Sequence, residues 1–266
     1  MECPIVYFRE AGSGIGIVCI HSSGSSSGQW RPLMDRLADR FRVLAVDLYG
    51  YGKSPSWSGD RELSLADEVA QLKPVFRAAG ERFHLIGHSF GGAVALMAAL
   101  ANPSRLRSLI LFEPVLFAVL MAEDPQQPAA REIAAVRDDT TAAVKRGDLA
   151  ASAERLIDYW MGSGTWARTP EARRLGIANT MPKSAAEWPA AFDEATPLSS
   201  FGSLRVPTLL IVGSESPASS KGVARLLAKT LPQVTTVEIA GVGHMGPVAH
   251  PDKINAEIES YLASLV

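Results

Sequence analysis

One ten-residue stretch, Phe83-His84-Leu85-Ile86-Gly87-His88-Ser89-Phe90-Gly91-Gly92, constrains this chain more than any other. Four largely apolar residues, Phe83 to Ile86, lead into a G-x-S-x-G pattern at Gly87, Ser89 and Gly91. A run of small residues with helical character follows to Ala101. Strand, cramped turn and small-residue helix in that order describe a nucleophile elbow, where a serine is held on a sharp bend with its hydroxyl projecting into a site. Crowding dictates the glycines, because other backbones pass close to such a turn and a side chain there would collide. The five-residue pattern alone arises by chance; the strand before it and the helix after it give it weight. Ser89 is therefore the candidate nucleophile, against the plainer reading of a buried hydroxyl in a glycine turn.

The flanking pattern repeats strand and helix. Short, nearly continuous apolar runs at 5–8, 15–20, 41–46, 109–112, 208–212 and 235–239 predict strands, several of them covered on both faces. Trp30, Leu33, Met34 and Leu37 recur at helical spacing. A second helix starts at Ser64, an N-cap with Asp67 and Glu68 in its first turn, and Pro74 should kink it. The chain closes on an amphipathic helix carrying Ile254, Ile258, Tyr261 and Leu262. From about 115 to 200 the character changes to alanine-rich helical segments interrupted by prolines, with no convincing strand. The expected fold is α/β: a mostly parallel sheet covered by helices on both faces. Its core domain takes residues 1–114 and 200–266, and residues 115–199 form an all-helical insertion.

A chain of 266 residues suits one such domain with an insertion. A net charge of −2 gives no reason to expect nucleic acid or an anionic membrane surface as partner. The N-terminus lacks the basic start and apolar core of a secretory signal, and no apolar run approaches the roughly 20 residues of a membrane span. Cys3 and Cys19 make neither a disulfide framework nor a metal motif and are expected to be free thiols of a cytoplasmic protein. No metal or cofactor is expected, and the expected partner is a small-molecule substrate.

Five stretches taken in order resemble the α/β-hydrolase fold family: His21-Ser-Ser-Gly24, Asp47-Leu-Tyr-Gly-Tyr-Gly-Lys-Ser54, Gly87-His-Ser-Phe-Gly91, Val212-Gly213 and Gly243-His244-Met245. The resemblance covers 1–114 and 200–266, and the insertion sits where such proteins carry a helical lid. It implies that His244, in a glycine-rich loop after the last strand, is the base that a weakly nucleophilic serine requires. It implies that His21 braces the oxyanion loop, and that the oxyanion donors are the backbone N–H groups of Phe90 and Ser23. The family places an aspartate three residues after a glycine that follows the late strand; here that slot holds Ser216. Glu113, at the end of the strand after the elbow helix, stands where some members of the fold place the acid. Glu215 is one residue off the usual slot. Glu113 is favoured, since a one-residue offset near a strand end swings a side chain away from its partner; Glu215, or no acid at all, remains open.

The fold hosts many reactions, so substrate is argued from the insertion. Three of the five tryptophans, Trp160, Trp166 and Trp188, lie in it, and Val115 to Met121 is an apolar segment directly after Glu113. Leu116, Phe117, Trp160 and Met245 are the candidate pocket residues, although aromatics in an insertion also build its own core. The expected substrate is a small to medium apolar ester, lactone or related carbonyl compound. Two alternatives stay open: a non-catalytic receptor that keeps the elbow, and a C–C hydrolase, perhydrolase or acyltransferase using the same serine.

Overall fold

The computed structural model describes residues 6–265. Seven strands make one sheet: β1 (Phe8–Ala11), β2 (Ile15–Ile20), β3 (Phe41–Val46), β4 (Phe83–His88), β5 (Leu106–Phe112), β6 (Thr208–Gly213) and β7 (Val234–Ile239), in the order β1-β3-β2-β4-β5-β6-β7. Only the β1–β3 pair is antiparallel; every other neighbour is parallel. The parallel pairs require crossovers, which α1 (Arg31–Leu37), α2 (Leu65–Gln71), α3 (Lys73–Ala78) and α4 (Phe90–Ala101) supply on the first half of the sheet.

The two-residue period of the strands sorts the core into two layers. Val18, Ile20, Leu44, Val46, Leu85, Leu109, Leu111, Leu210 and Val212 share one layer with the helices α2, α3 and α4 and with the helical residues 218–230. Their neighbours Ile17, Cys19, Val43, Ala45, Ile86, Ile110, Phe112, Leu209 and Ile211 face α1 and the C-terminal helix. Because both faces are covered, β4 and β6 are buried along their whole length, which is why they read as continuous apolar runs.

Between β5 and β6 run α5 (Phe117–Glu123), α6 (Pro128–Lys145), α7 (Leu149–Met161), α8 (Thr165–Arg168), α9 (Glu171–Ala186) and α10 (Trp188–Phe192), without a strand among them. Ala153, Trp166, Ala178 and Met181 give this region a small core of its own. After β6 come α11 (Ala218–Thr230), β7, α12 (Gly246–Ala249) and α13 (Pro251–Ser264). Among the described residues no helix is long and apolar enough to cross a membrane.

Two local expectations shift. The first strand lies at 8–11 rather than 5–8, because its ladder is set by pairing of Phe8 with Val46 and of Ala11 with Val43. Ile5 and Cys3 lie outside the described residues, whereas Cys19 is a buried free thiol. Pro74 does more than kink its helix. Having no N–H to donate, it starts a new helix at its second position, and α2 and α3 meet at Leu72.

Close packing around the elbow makes its glycines obligatory. A Cβ on Gly91 would be driven into the carbonyl oxygens of His21 and Ile20, and one on Gly87 into the carbonyl of Gly91. Gly91→Ala is expected to cost roughly 1–3 kcal/mol of stability through this overpacking, read as a lowered midpoint in urea denaturation.

Candidate active site

Ser89 lies between β4 and α4 with φ 55° and ψ −120°. Glu113, just past β5, has φ 43°, and these two are the only non-glycine residues with positive φ among the described residues. Such backbone is costly and persists only where its surroundings impose it. Here the two bends hold each other. Ser89 N–H donates to the carbonyl of Phe112 at 3.0 Å, and Val115 N–H donates back to the Ser89 carbonyl at 3.1 Å. That carbonyl also accepts from the N–H groups of Gly92 and Ala93, the first turn of α4.

The bends bring three side chains into one line. His244 Nε2 is 2.9 Å from Ser89 Oγ, and His244 Nδ1 is 2.7 Å from Glu113 Oε2. With the serine O–H donating to Nε2, the ring proton sits on Nδ1 and is donated to the carboxylate. Glu113 is completely buried. Its Oε1 accepts the Gly213 N–H at 2.7 Å and the Ser216 hydroxyl at 2.5 Å. The slot where the family carries its acid thus holds a hydroxyl that anchors a carboxylate arriving from the neighbouring strand. Glu215, the other candidate, is exposed, and its backbone N–H is spent on Val242. The offset by one residue turns its side chain to solvent, so it does not meet His244.

The imidazole packs against two further rings. Trp160 from α7 stacks on it with ring centroids 4.0 Å apart and planes 27° apart. The His88 ring lies 5.3 Å from the imidazole by centroid and donates its Nε2–H to the His244 carbonyl at 2.9 Å. His88 is buried, and that burial, with His244 beside it, holds it far below the usual histidine range and hence neutral. His21 is pushed down to about 4, chiefly by burial. Its Nε2 accepts the Leu48 N–H at 3.0 Å, so its Nδ1–H donates to the Ser22 carbonyl at 2.7 Å. His84 is also down at about 4, through burial and then Arg107, and bonds Ser108 at 2.8 Å between strands.

Two cavities open beside Ser89. A small recess of about 40 Å³ is walled by Val115, Phe117, Leu156, Trp160, Trp188 and Ala191, with Ser23, Ser184 and Glu187 on its polar side. A larger cavity of about 480 Å³ runs past His244 and Met245, between Trp160, Met161, Ile177 and Met181, to the exposed Arg168 and Arg173. Ser23 borders both cavities and Phe90 the recess. As the first residue of α4, Phe90 has an N–H with no intrahelical acceptor. Of the four expected pocket residues, Phe117, Trp160 and Met245 line these cavities. Leu116 does not: it is fully buried in the core, and its neighbours Val115 and Phe117 take the wall. A surface groove of about 1030 Å³ between residues 50–63 and 137–193 reaches neither Ser89 nor His244.

Sequence reasoning missed a buried charged cluster behind the recess. Lys183 Nζ lies 2.9 Å from Glu187 Oε1 and 3.6 Å from Glu68 Oε1. Glu68 also accepts the Tyr49 N–H at 3.3 Å and the Gln71 amide. Burial pushes Glu68 up to about 7 against the pull of Lys183, with Glu187 adding to the rise. No motif marks these residues; a lysine four residues before a glutamate reads as an ordinary surface pair on a helix.

The family model described as alpha/beta hydrolase fold matches residues 17–251. The chain belongs to the α/β-hydrolase family. It is an enzyme of the carboxylic-ester hydrolase type. A pimeloyl-[acyl-carrier protein] methyl ester esterase of Aeromonas hydrophila subsp. hydrophila is 30% identical over 264 residues, 94% of this chain and 96% of that protein. Among solved structures, a thermophilic esterase from Thermogutta terrifontis superposes with TM-score 0.76 at 26% identity, covering 98% of this chain and 93% of that one. An enol-lactonase from Burkholderia xenovorans LB400 shares the fold with TM-score 0.78 at 19% identity, covering 97% and 96%.

The two carboxylate assignments separate in kinetics. Glu113→Gln keeps the shape but removes the charge beside the imidazole, and kcat is expected to fall toward the roughly 10⁴-fold loss typical of a missing triad acid. Glu215→Gln should leave kcat near that of the parent; the reverse ranking would reject Glu113. A second test concerns Glu68. Its carboxyl is held above its unfolded value, so its contribution to stability is full below about pH 4.5 and is lost as pH rises through about 7. Glu68→Gln removes that loss, and its Tm relative to the parent should rise between about pH 4.5 and 7 and level off above that.

Proposed function

We propose that this enzyme hydrolyses an apolar carboxylic ester, lactone or related carbonyl compound through an acyl-enzyme on Ser89. The observation that carries the reading is the continuous line Ser89 Oγ, His244 Nε2, His244 Nδ1, Glu113 Oε2, with steps of 2.9 and 2.7 Å. Ser89 Oγ attacks the carbonyl carbon while its proton passes to Nε2. The imidazolium so formed lies between the Glu113 carboxylate and the face of Trp160, both of which favour the charged ring. The N–H groups of Phe90 and Ser23 are the proposed donors to the oxyanion. Collapse expels the alcohol, which takes its proton from Nε2. Water then attacks the acyl-enzyme, its proton accepted by the same nitrogen, and the acid leaves with Ser89 restored.

The inserted residues 115–199 serve in this reading as the lid, since α7 supplies Trp160 and α9 and α10 close the recess. The very different sizes of the two cavities, about 40 and 480 Å³, favour an ester with one short and one extended apolar arm. That agrees with the methyl ester in the name of the Aeromonas relative, and the Thermogutta neighbour is likewise named an esterase.

A fluorophosphonate probe should label the purified protein, and Ser89→Ala should abolish the label and lower kcat by roughly 10⁴- to 10⁶-fold. A wild-type protein that fails to label would favour the non-catalytic receptor. Within a p-nitrophenyl and alkyl ester panel, activity should tolerate lengthening of one arm and fall sharply when both are lengthened.

A further inference from the structure

The proposed oxyanion loop is pinned from two directions, and one of them belongs to the inserted helices. The peptide joining Ser22 to Ser23 is planar and trans, so whatever fixes the Ser22 carbonyl also aims the Ser23 N–H the opposite way. His21 Nδ1–H and Ser25 N–H hold that carbonyl at 2.7 and 3.2 Å, and the Ser22 N–H and hydroxyl both reach Gln29 Oε1. This is the anchor from the core domain.

The second anchor is the Ser23 side chain. Its hydroxyl lies 3.1 Å from Tyr51 Oη and donates to Ser184 Oγ at 3.1 Å. Tyr51 donates to Glu187 Oε2 at 3.0 Å. The other oxygen of Glu187 forms an ion pair with Lys183 Nζ at 2.9 Å. Tyr51, Ser184 and Glu187 are 4%, 8% and 3% exposed, so water contributes little to holding them. Ser184 lies on α9 and Glu187 on its C-cap, while Tyr51 comes from the loop after β3. Burying ions is expensive, and a packed apolar substitute often serves stability as well or better. A cluster of this kind that ends on the oxyanion loop therefore suggests a positional task.

We propose that Tyr51, Ser184 and Glu187 are positioning residues that hold the Ser23 N–H in register with Ser89, so that docking of α9 completes the oxyanion hole. The inference rests on the hydrolase reading given above. It makes the insertion a working part of transition-state stabilisation as well as a wall. An undocked α9 would leave Ser89, His244 and Glu113 in line, with the Ser23 N–H held by the core anchor alone.

The test uses the full chain, a p-nitrophenyl ester, and an alkyl boronic acid as tetrahedral-adduct mimic. Tyr51→Phe keeps the ring and removes the hydroxyl. It should lower kcat by about 10²-fold, as an ångström of misplacement does, with KM moved less than about threefold because ground-state binding is untouched. Boronic acid affinity should weaken by the same factor as kcat/KM. Glu187→Gln should act in the same direction. Ser23→Ala retains the N–H and loses the anchor; it should match Tyr51→Phe, and the double variant should be no worse than either alone. Full kcat and undiminished boronate affinity in folded Tyr51→Phe would overturn the proposal. So would additive losses in the double variant, or a loss that tracks a lowered Tm and leaves boronate affinity intact. A parent protein that neither labels nor turns over ester fails the hydrolase reading itself, a result distinct from all of these.

Discussion

The site depends on a mutual constraint between two adjacent parallel strands. β4 and β5 are each followed by a residue held at positive φ, and the hydrogen bonds between Ser89, Phe112 and Val115 tie one bend to the other. Neither conformation would persist alone, since each costs on the order of 1–3 kcal/mol. Bound together, with α4 stacked on the Ser89 carbonyl and Gly91 pressed against the chain at Ile20 and His21, they hold each other in place. The hydroxyl of Ser89 and the carboxylate of Glu113 are thereby placed on opposite sides of one imidazole before any ligand arrives.

Burying a carboxylate beside that imidazole is tolerable only because every oxygen is occupied. Glu113 accepts from a backbone N–H, a hydroxyl and a ring N–H, which replaces the water it gave up. Ser216, in the loop after β6, supplies the hydroxyl among these donors to the carboxylate that reaches in from the end of β5. The stacked Trp160 completes the enclosure and links the chemistry to the inserted helices. The buried cluster around Lys183 extends that link to the other side of Ser89.

How much of this was legible beforehand depended on range along the chain. The elbow could be read because strand, glycines and helix are contiguous and each is demanded by local sterics. The parallel sheet followed from apolar runs that only two covered faces explain. The edge strand β1 was misplaced because its bounds come from its partner β3, not from its own residues. Among the pocket residues, Leu116 was wrongly aimed for a related reason: consecutive residues after a strand end alternate direction, and only packing says which faces the cavity.

Local chemistry in the sequence determined the fold class and the elbow serine, because turn sterics and side-chain periodicity act between near neighbours; the loop histidine was implied by the resemblance to the α/β-hydrolase fold family. The tertiary structure decided that Glu113 rather than Glu215 meets His244, which lies 131 residues away along the chain. It also decided that Tyr51 would meet Glu187 across 136 residues to brace the loop that carries Ser23. Pairings at that separation are set by how strands register and helices dock, so the energy that selects them resides in the packed whole and in no single segment.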